Sequence, residues 1–127
     1  MTNKQSADDW LLRAKSNLKR ARMGKLSDDI VFEDLCYDCQ QAAEKAVKAL
    51  MIFREQGIIR THSIGYLLDL IEASGLVVSE ELNNAAVLTS YAVETRYPGV
   101  YAPVLEVEYR EALRLAELVV AWVEENL

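Results

Sequence analysis

Apolar residues recur at intervals of three and four along every long segment of this chain, and nowhere do they alternate regularly with polar ones. Such spacing draws one stripe down an α-helix, whereas a half-buried strand needs a period of two. The first segment, Gln5 to Met23, puts Ala7, Trp10, Leu11, Ala14, Leu18 and Ala21 on one face, and Gly24 is its stop. Lys15, Lys19 and Arg22 recur on another face, which reads as a solvated helix surface near acidic groups from elsewhere in the fold. The second segment opens at Ser27-Asp28-Asp29, a cap followed by charges that suit a helix start, and runs to about Gln56, with Gly57 behind it. Ala42, Ala43, Ala46 and Ala49 keep its centre thin enough for a neighbouring backbone to approach. Leu35, Val47, Leu50 and Phe53 supply bulk, so this is expected to be the central helix.

Thr61 or Ser63 is placed to cap a third helix carrying Ile64, Leu67, Leu68 and Ile71 and ending at Gly75. Ser79-Glu80-Glu81 opens a fourth, with Leu82, Ala85, Ala86, Leu88 and Tyr91 inward. Thr95-Arg96-Tyr97-Pro98-Gly99 breaks the pattern, because proline cannot continue a helix and holds the residue before it extended. The fifth helix spans Glu106 to Glu125, burying Ala112, Leu115, Ala116, Val119, Val120 and Val123. Mostly short connectors favour antiparallel neighbours. The expectation is an all-α fold: an antiparallel up-and-down bundle of four to five helices, with residues 1–127 as a single domain.

Hydrophobic residues at 51% and charged residues at 27% are enough for a real core. No apolar run reaches the roughly 18–20 residues of a membrane span, and the charged N-terminus lacks a secretory apolar region. A cytoplasmic location is expected. The net charge of −6 disfavours non-specific nucleic-acid binding. The sign is uneven, however. Up to Leu26 there are seven basic residues against Asp8 and Asp9, which leaves room for a local anionic ligand.

Four stretches together carry a resemblance. They are Trp10-Leu11-x-x-Ala14-x-x-x-Leu18, the run Cys39 to Leu50, Thr61-His62-Ser63-Ile64-x-x-Leu67-Leu68, and Thr95-Arg96-Tyr97-Pro98-Gly99. In this order and spacing the chain resembles HEPN domains over nearly its whole length. The resemblance implies a bundle like the C-terminal domain of kanamycin nucleotidyltransferase, assembled as a homodimer. It also implies a partner, because many prokaryotic members are encoded beside a minimal nucleotidyltransferase in toxin–antitoxin-like arrangements. Some members are ribonuclease toxins, which use an arginine followed by four to six residues and a histidine. This chain departs from that pattern: its only histidine, His62, is separated from Arg60 by one residue and from Arg54 by seven.

Several residues are candidates for ligand contact. His62, at a helix start, is suited to hold a phosphate or to move a proton, or else simply to pack. Arg96 offers a bidentate grip on phosphate and Tyr97 a ring for a base to stack on, against a loop-fixing arginine and an apolar plug. Gln41, Lys45 and Lys48 follow at four and three residues on one helix face, where a Glu44–Lys48 surface pair is the blander account. Cys36-x-x-Cys39 has neither a second pair for zinc nor a preceding strand for a thioredoxin-like site. Glu106, Glu108 and Glu111 read as solvated helix-start carboxylates. No catalytic set, metal site or cofactor is expected.

Three functions compete. One is a non-catalytic nucleotide-binding or interaction module, paired with a separate minimal nucleotidyltransferase. Another is a ribonuclease whose site combines His62 with Arg96 across a dimer cleft. The last is a structural oligomer without a small ligand. A homodimer is expected in each, since a small bundle with apolar surface on several sides buries it best by pairing.

Overall fold

The computed structural model describes residues 2–93, 98–99 and 101–127. These residues contain no strand. Helix α1 spans Asn3–Met23, α2 Phe32–Phe53, α3 Ile64–Ala73, and α6 Glu106–Glu125. Between α3 and α6 come α4 (Glu80–Asn83), a 3₁₀ segment (Asn84–Thr89) and α5 (Ser90–Val93), which follow one another without a break. The expected all-α helical bundle is what the chain forms.

The α1–α2 pair is its centre. Ala14 and Ala21 of α1 and Ala42, Ala43 and Ala46 of α2 are all fully buried, so the two backbones meet over methyl groups. Polar contacts give the direction. Asn17 meets Lys45, and Arg20 meets Asp38 further along, so residue numbers rise on one helix as they fall on the other. Helix α6 is likewise antiparallel to α1, with Lys15 on Glu124 at 3.4 Å and Arg22 on Glu117 at 3.1 Å. The basic face of α1 therefore does lie against acidic groups of another helix. The predicted inner face of α6 is buried at all six positions.

Helix α1 ends as the sequence indicates. Gly24 takes φ 71°, a left-handed conformation that favours glycine, and its N–H returns to the carbonyl of Ala21. The Tyr109 hydroxyl donates to the same carbonyl, tying α6 to that end. Ser63 caps α3 by accepting from Tyr66 N at 3.2 Å, and Ser79 caps α4 from Leu82 N at 3.1 Å.

Three local expectations change. Helix α2 starts at Phe32, not at Ser27. Ser27 instead accepts from Asp29 N, and its carbonyl from Ile30 N, closing a turn before the helix. Phe53, expected to add bulk to the core, is 40% exposed because α2 stops there and the chain turns away. Ala86 points outward while Leu82, Ala85 and Leu88 are buried. A 3₁₀ segment has three residues per turn, so positions 82, 85 and 88 form one line and 86 falls off it.

One feature of the path is not in the periodicity. The connector 54–63 doubles back along α2, bringing His62 level with Gln40 and Glu44 rather than with the end of the helix. Helix α3 then runs beside the second half of α2, where Arg54 reaches Ser74 and Gln56 reaches Leu70 O.

Candidate functional site around His62 and Glu44

The doubled-back connector sets His62 against α2. Its Nδ1 lies 2.9 Å from Glu44 Oε1, with the imidazole side chain 54% exposed and the carboxylate only 6% exposed. An ionised carboxylate only accepts, so the proton sits on Nδ1, and Nε2 of the neutral ring carries the lone pair. Gln40, fully buried, fixes both partners: its Nε2 donates to Glu44 Oε1 at 2.9 Å and to the His62 carbonyl at 3.3 Å. Flanking backbone groups hold the segment in place. Thr61 Oγ1 accepts from Ser63 N at 3.1 Å, and Thr89 Oγ1 accepts from Ile64 N at 3.2 Å.

Glu44 is charged despite its burial. Desolvation alone would raise its pKa, but hydrogen bonds from Lys48, Gln40 and His62 outweigh it and hold the carboxyl below the usual range. The Lys48 ammonium lies 2.8 Å from Glu44 Oε2 and is itself 8% exposed, with the Trp10 ring 6.0 Å away. This pair has the i,i+4 spacing of a surface ion pair and yet is out of water. Taking one partner away would strand a charge, at a cost of about 3–5 kcal/mol.

The remaining candidates separate into two groups. Gln41, half-buried, donates to Gln40 Oε1 at 2.7 Å and so extends the chain Gln41–Gln40–Glu44–His62. Lys45 turns instead to α1, where its ammonium donates to Asn17 Oδ1 at 2.8 Å. Asn17 passes a hydrogen bond to the buried Asp38 at 2.9 Å, and Arg20 meets the same carboxylate at 3.3 Å. Burial, reinforced by the nearby Arg13 charge, holds the Lys45 pKa below its ordinary value. The structure thus joins His62, Gln41 and Lys48 through Glu44 and Gln40, and it places Lys45 on the adjoining α1–α2 seam. Lys48 spends its ammonium on Glu44, so it bears on His62 through that carboxylate. Arg96 and Tyr97 lie outside the described residues.

Glu44 is the residue that sequence reading undervalued, seeing it only as the partner of Lys48. Its position on α2 signalled that pairing, but nothing local signalled a histidine arriving from eighteen residues on.

Cys36 and Cys39 are buried free thiols on the inner side of α2, and burial pushes the Cys36 pKa up to about 12. Both are inert as nucleophiles at neutral pH. Glu106, Glu108 and Glu111 are exposed; Glu108 accepts from Leu105 N at 3.0 Å, and Glu111 pairs with Arg114 at 2.7 Å. A cavity of about 560 Å³ lies elsewhere, lined by α2 residues Glu33, Asp34 and Tyr37 together with Tyr91, Tyr101 and Pro103. With its side chain 54% exposed, His62 presents its ring at the surface.

Comparison with known proteins bears on the fold and the family. Among curated proteins the chain has no match. The crystal structure of TT1696 from Thermus thermophilus is 37% identical, with a TM-score of 0.79 over 95% of this chain and 98% of that one. The structure of ST0689, described as an archaeal HEPN homologue, is 31% identical, with a TM-score of 0.74 over 94% of this chain and 95% of the other. The HEPN domain profile matches residues 7–126, and this chain belongs to the HEPN domain family.

Proposed function

We propose that this HEPN protein is a non-catalytic binding module that takes a nucleotide at His62 and works, as a homodimer, with a separate minimal nucleotidyltransferase. The observation that carries the reading is the fixed, outward-facing imidazole. A buried carboxylate, itself held by Lys48 and Gln40, sets the tautomer and orientation of a ring that is more than half exposed. A ring ordered in this way contributes a hydrogen bond to a phosphate oxygen or sugar hydroxyl at low entropic cost. Gln41 and Lys45, both partly accessible along α2, supply further polar contacts, with Arg96 and Tyr97 assigned to the same ligand from sequence.

Binding is favoured over catalysis because a phosphoryl or nuclease reaction needs a second group to carry the developing charge. His62 is the only histidine of the chain, and Lys48, which shares Glu44 with it, is already committed to that carboxylate. Exposed apolar side chains such as Val87 at 61% and Val107 at 69% support the homodimer. Nucleic acid is disfavoured as a ligand by the net charge of −6. Among the described residues no helix is long and apolar enough to cross a membrane.

The test is titration of the purified chain with ATP and other nucleotides, combined with co-expression of a minimal nucleotidyltransferase. Saturable binding lost in His62→Ala is expected. Absence of both nucleotide binding and co-purification overturns the reading.

A second reading, a ribonuclease using His62 with Arg96, is favoured by the same Glu44–His62 contact, since a carboxylate-oriented imidazole is suited to proton transfer. Cleavage of cellular RNA by the wild type and not by His62→Ala would establish it. Equal cleavage, or none, would remove it.

A further inference from the structure

The basic residues at the start of the chain are divided between two sides of α1. Lys15 and Arg22 meet Glu124 and Glu117 of α6, and Lys19 is exposed. Arg13 and Arg20 lie instead along the seam with α2, in a row with Lys45 and Lys48. Antiparallel packing sets the order of the row. Lys48 Nζ lies 6.0 Å from the centre of the Trp10 ring, Lys45 Nζ 2.8 Å from Asn17 Oδ1, and Arg20 3.3 Å from Asp38. Arg13, one turn before Asn17, is the charge that acts most strongly on the Lys45 ammonium.

Three of these four cations meet a carboxylate. Lys48 has Glu44 at 2.8 Å, Arg20 has Asp38 at 3.3 Å, and Arg13 has Asp9 at 3.4 Å. Among the described residues Lys45 has no such contact, and its ammonium donates to a neutral amide oxygen. Glu44 and Asp38 act on it favourably from further off, but burial and the Arg13 charge outweigh them. The ammonium is nonetheless held in place. Asn17 is buried, and its Nδ2 donates to the buried Asp38 at 2.9 Å, which turns Oδ1 toward Lys45. An ammonium has three protons, so two remain to be donated, and the half-buried side chain is open on its outer side. Arg13 is easily recruited: its pair with Asp9 is exposed on both sides and worth at most about 1 kcal/mol.

We infer that this seam binds a phosphate group, held by the Lys45 ammonium that Asn17 fixes and by the Arg13 guanidinium, which leaves Asp9 to reach it. A dianion neutralises both cations, whereas a carboxylate neutralises one, and the planar guanidinium matches two phosphate oxygens at once. Two sources share the chemistry: free inorganic pyrophosphate, or the phosphates of a nucleotide. For the nucleotide source the inference rests on the reading proposed above and deepens it, since Lys45 directly follows Glu44, the residue that holds His62.

The test is titration of the full chain with inorganic pyrophosphate and, separately, with ATP, at fixed ionic strength, following the Lys45 side-chain signals by NMR. Saturable shifts with pyrophosphate are expected. Affinity should fall roughly tenfold, the effect of one lost charge-assisted contact, in Lys45→Met and in Arg13→Gln. Lys19→Gln makes the same change in net charge away from the seam and should leave affinity unaltered. Tighter binding of ATP points to a nucleotide, and equal binding points to the free anion. ATP binding that survives both Lys45→Met and Arg13→Gln removes the seam site and keeps the nucleotide reading. Pyrophosphate binding at the seam, with ATP no tighter and His62→Ala without effect, keeps the seam site and removes the nucleotide reading. If pyrophosphate does not saturate, or if Lys19→Gln costs as much as Lys45→Met, the inference fails. Should Lys45→Met not fold, the exposed Arg13→Gln variant decides alone.

Discussion

Glu44 Oε1 and His62 Nδ1 are 2.9 Å apart, yet the first belongs to a buried carboxylate and the second to a ring more than half exposed. The contact therefore links the core to the surface. Lys48 and Gln40 keep the carboxylate ionised and aimed, and the carboxylate in turn keeps the imidazole turned outward. Energy held in the core is used to order a surface group.

Replacing Lys48 with methionine should be costly, because the buried Glu44 charge then loses its principal partner. A loss of about 3–5 kcal/mol is expected in urea denaturation. The double change Lys48→Met/Glu44→Leu should recover much of that loss, since it removes both charges and keeps the volume. A double variant no more stable than the single would contradict the buried-pair account.

Acid should act through the same carboxylate. Glu44 is held below its ordinary value of 4.5, so its ionisation stabilises the folded chain fully above that pH. The contribution fades as pH falls from there through the lower folded-state value. Melting temperature measured from neutral pH downward should drop across this window in the wild type. In Glu44→Gln, which starts lower, the corresponding drop should be shallower.

The small-residue seam between α1 and α2 makes a different demand. Ala46 is fully buried where the two helices approach, so a leucine there has nowhere to go. Ala46→Leu is expected to cost about 1–3 kcal/mol by overpacking, although leucine is a good helix former. Thermal melts together with helix content by circular dichroism separate the packing effect from the propensity.

At the far end of α1, the Tyr109 hydroxyl and Gly24 N–H share the Ala21 carbonyl. Tyr109→Phe removes one of these donors and leaves the ring in place against Phe32, with centroids 5.3 Å apart. A loss of about 1 kcal/mol in chemical denaturation is expected, with amide exchange quickening in the last turn of α1.

These contrasts show what the chain reveals of itself before folding. The stripes of α1 and α6 were legible because their spacing and burial are both set by one helix face meeting one core. Gly24 and the caps Ser63 and Ser79 were legible because the physics of helix ends is local. The start of α2 was not, since Ser27-Asp28-Asp29 suits a turn as well as a cap. Nor was the outward side of Ala86, because a switch from 3.6 to 3.0 residues per turn leaves no mark in composition. Of the site, His62, Gln41, Lys45 and Lys48 could be named from residue type and face. The burial of Glu44 and Lys48 could not, since an i,i+4 pair has one spacing whether it faces water or core. The meeting of His62 with Glu44 depends on a connector that doubles back, and that path is a tertiary fact.

Imidazole nitrogen NMR of His62 bears most directly on the claim that Glu44 holds this ring for a ligand. The Nδ1–H tautomer is expected in the neutral free protein, with a shift of Nε2 on addition of ATP. Reversion to the commoner Nε2–H form, with weakened ATP response, is expected in Glu44→Gln. An Nε2–H tautomer in the wild type, or a ring indifferent to both ATP and the loss of the carboxylate, would contradict it.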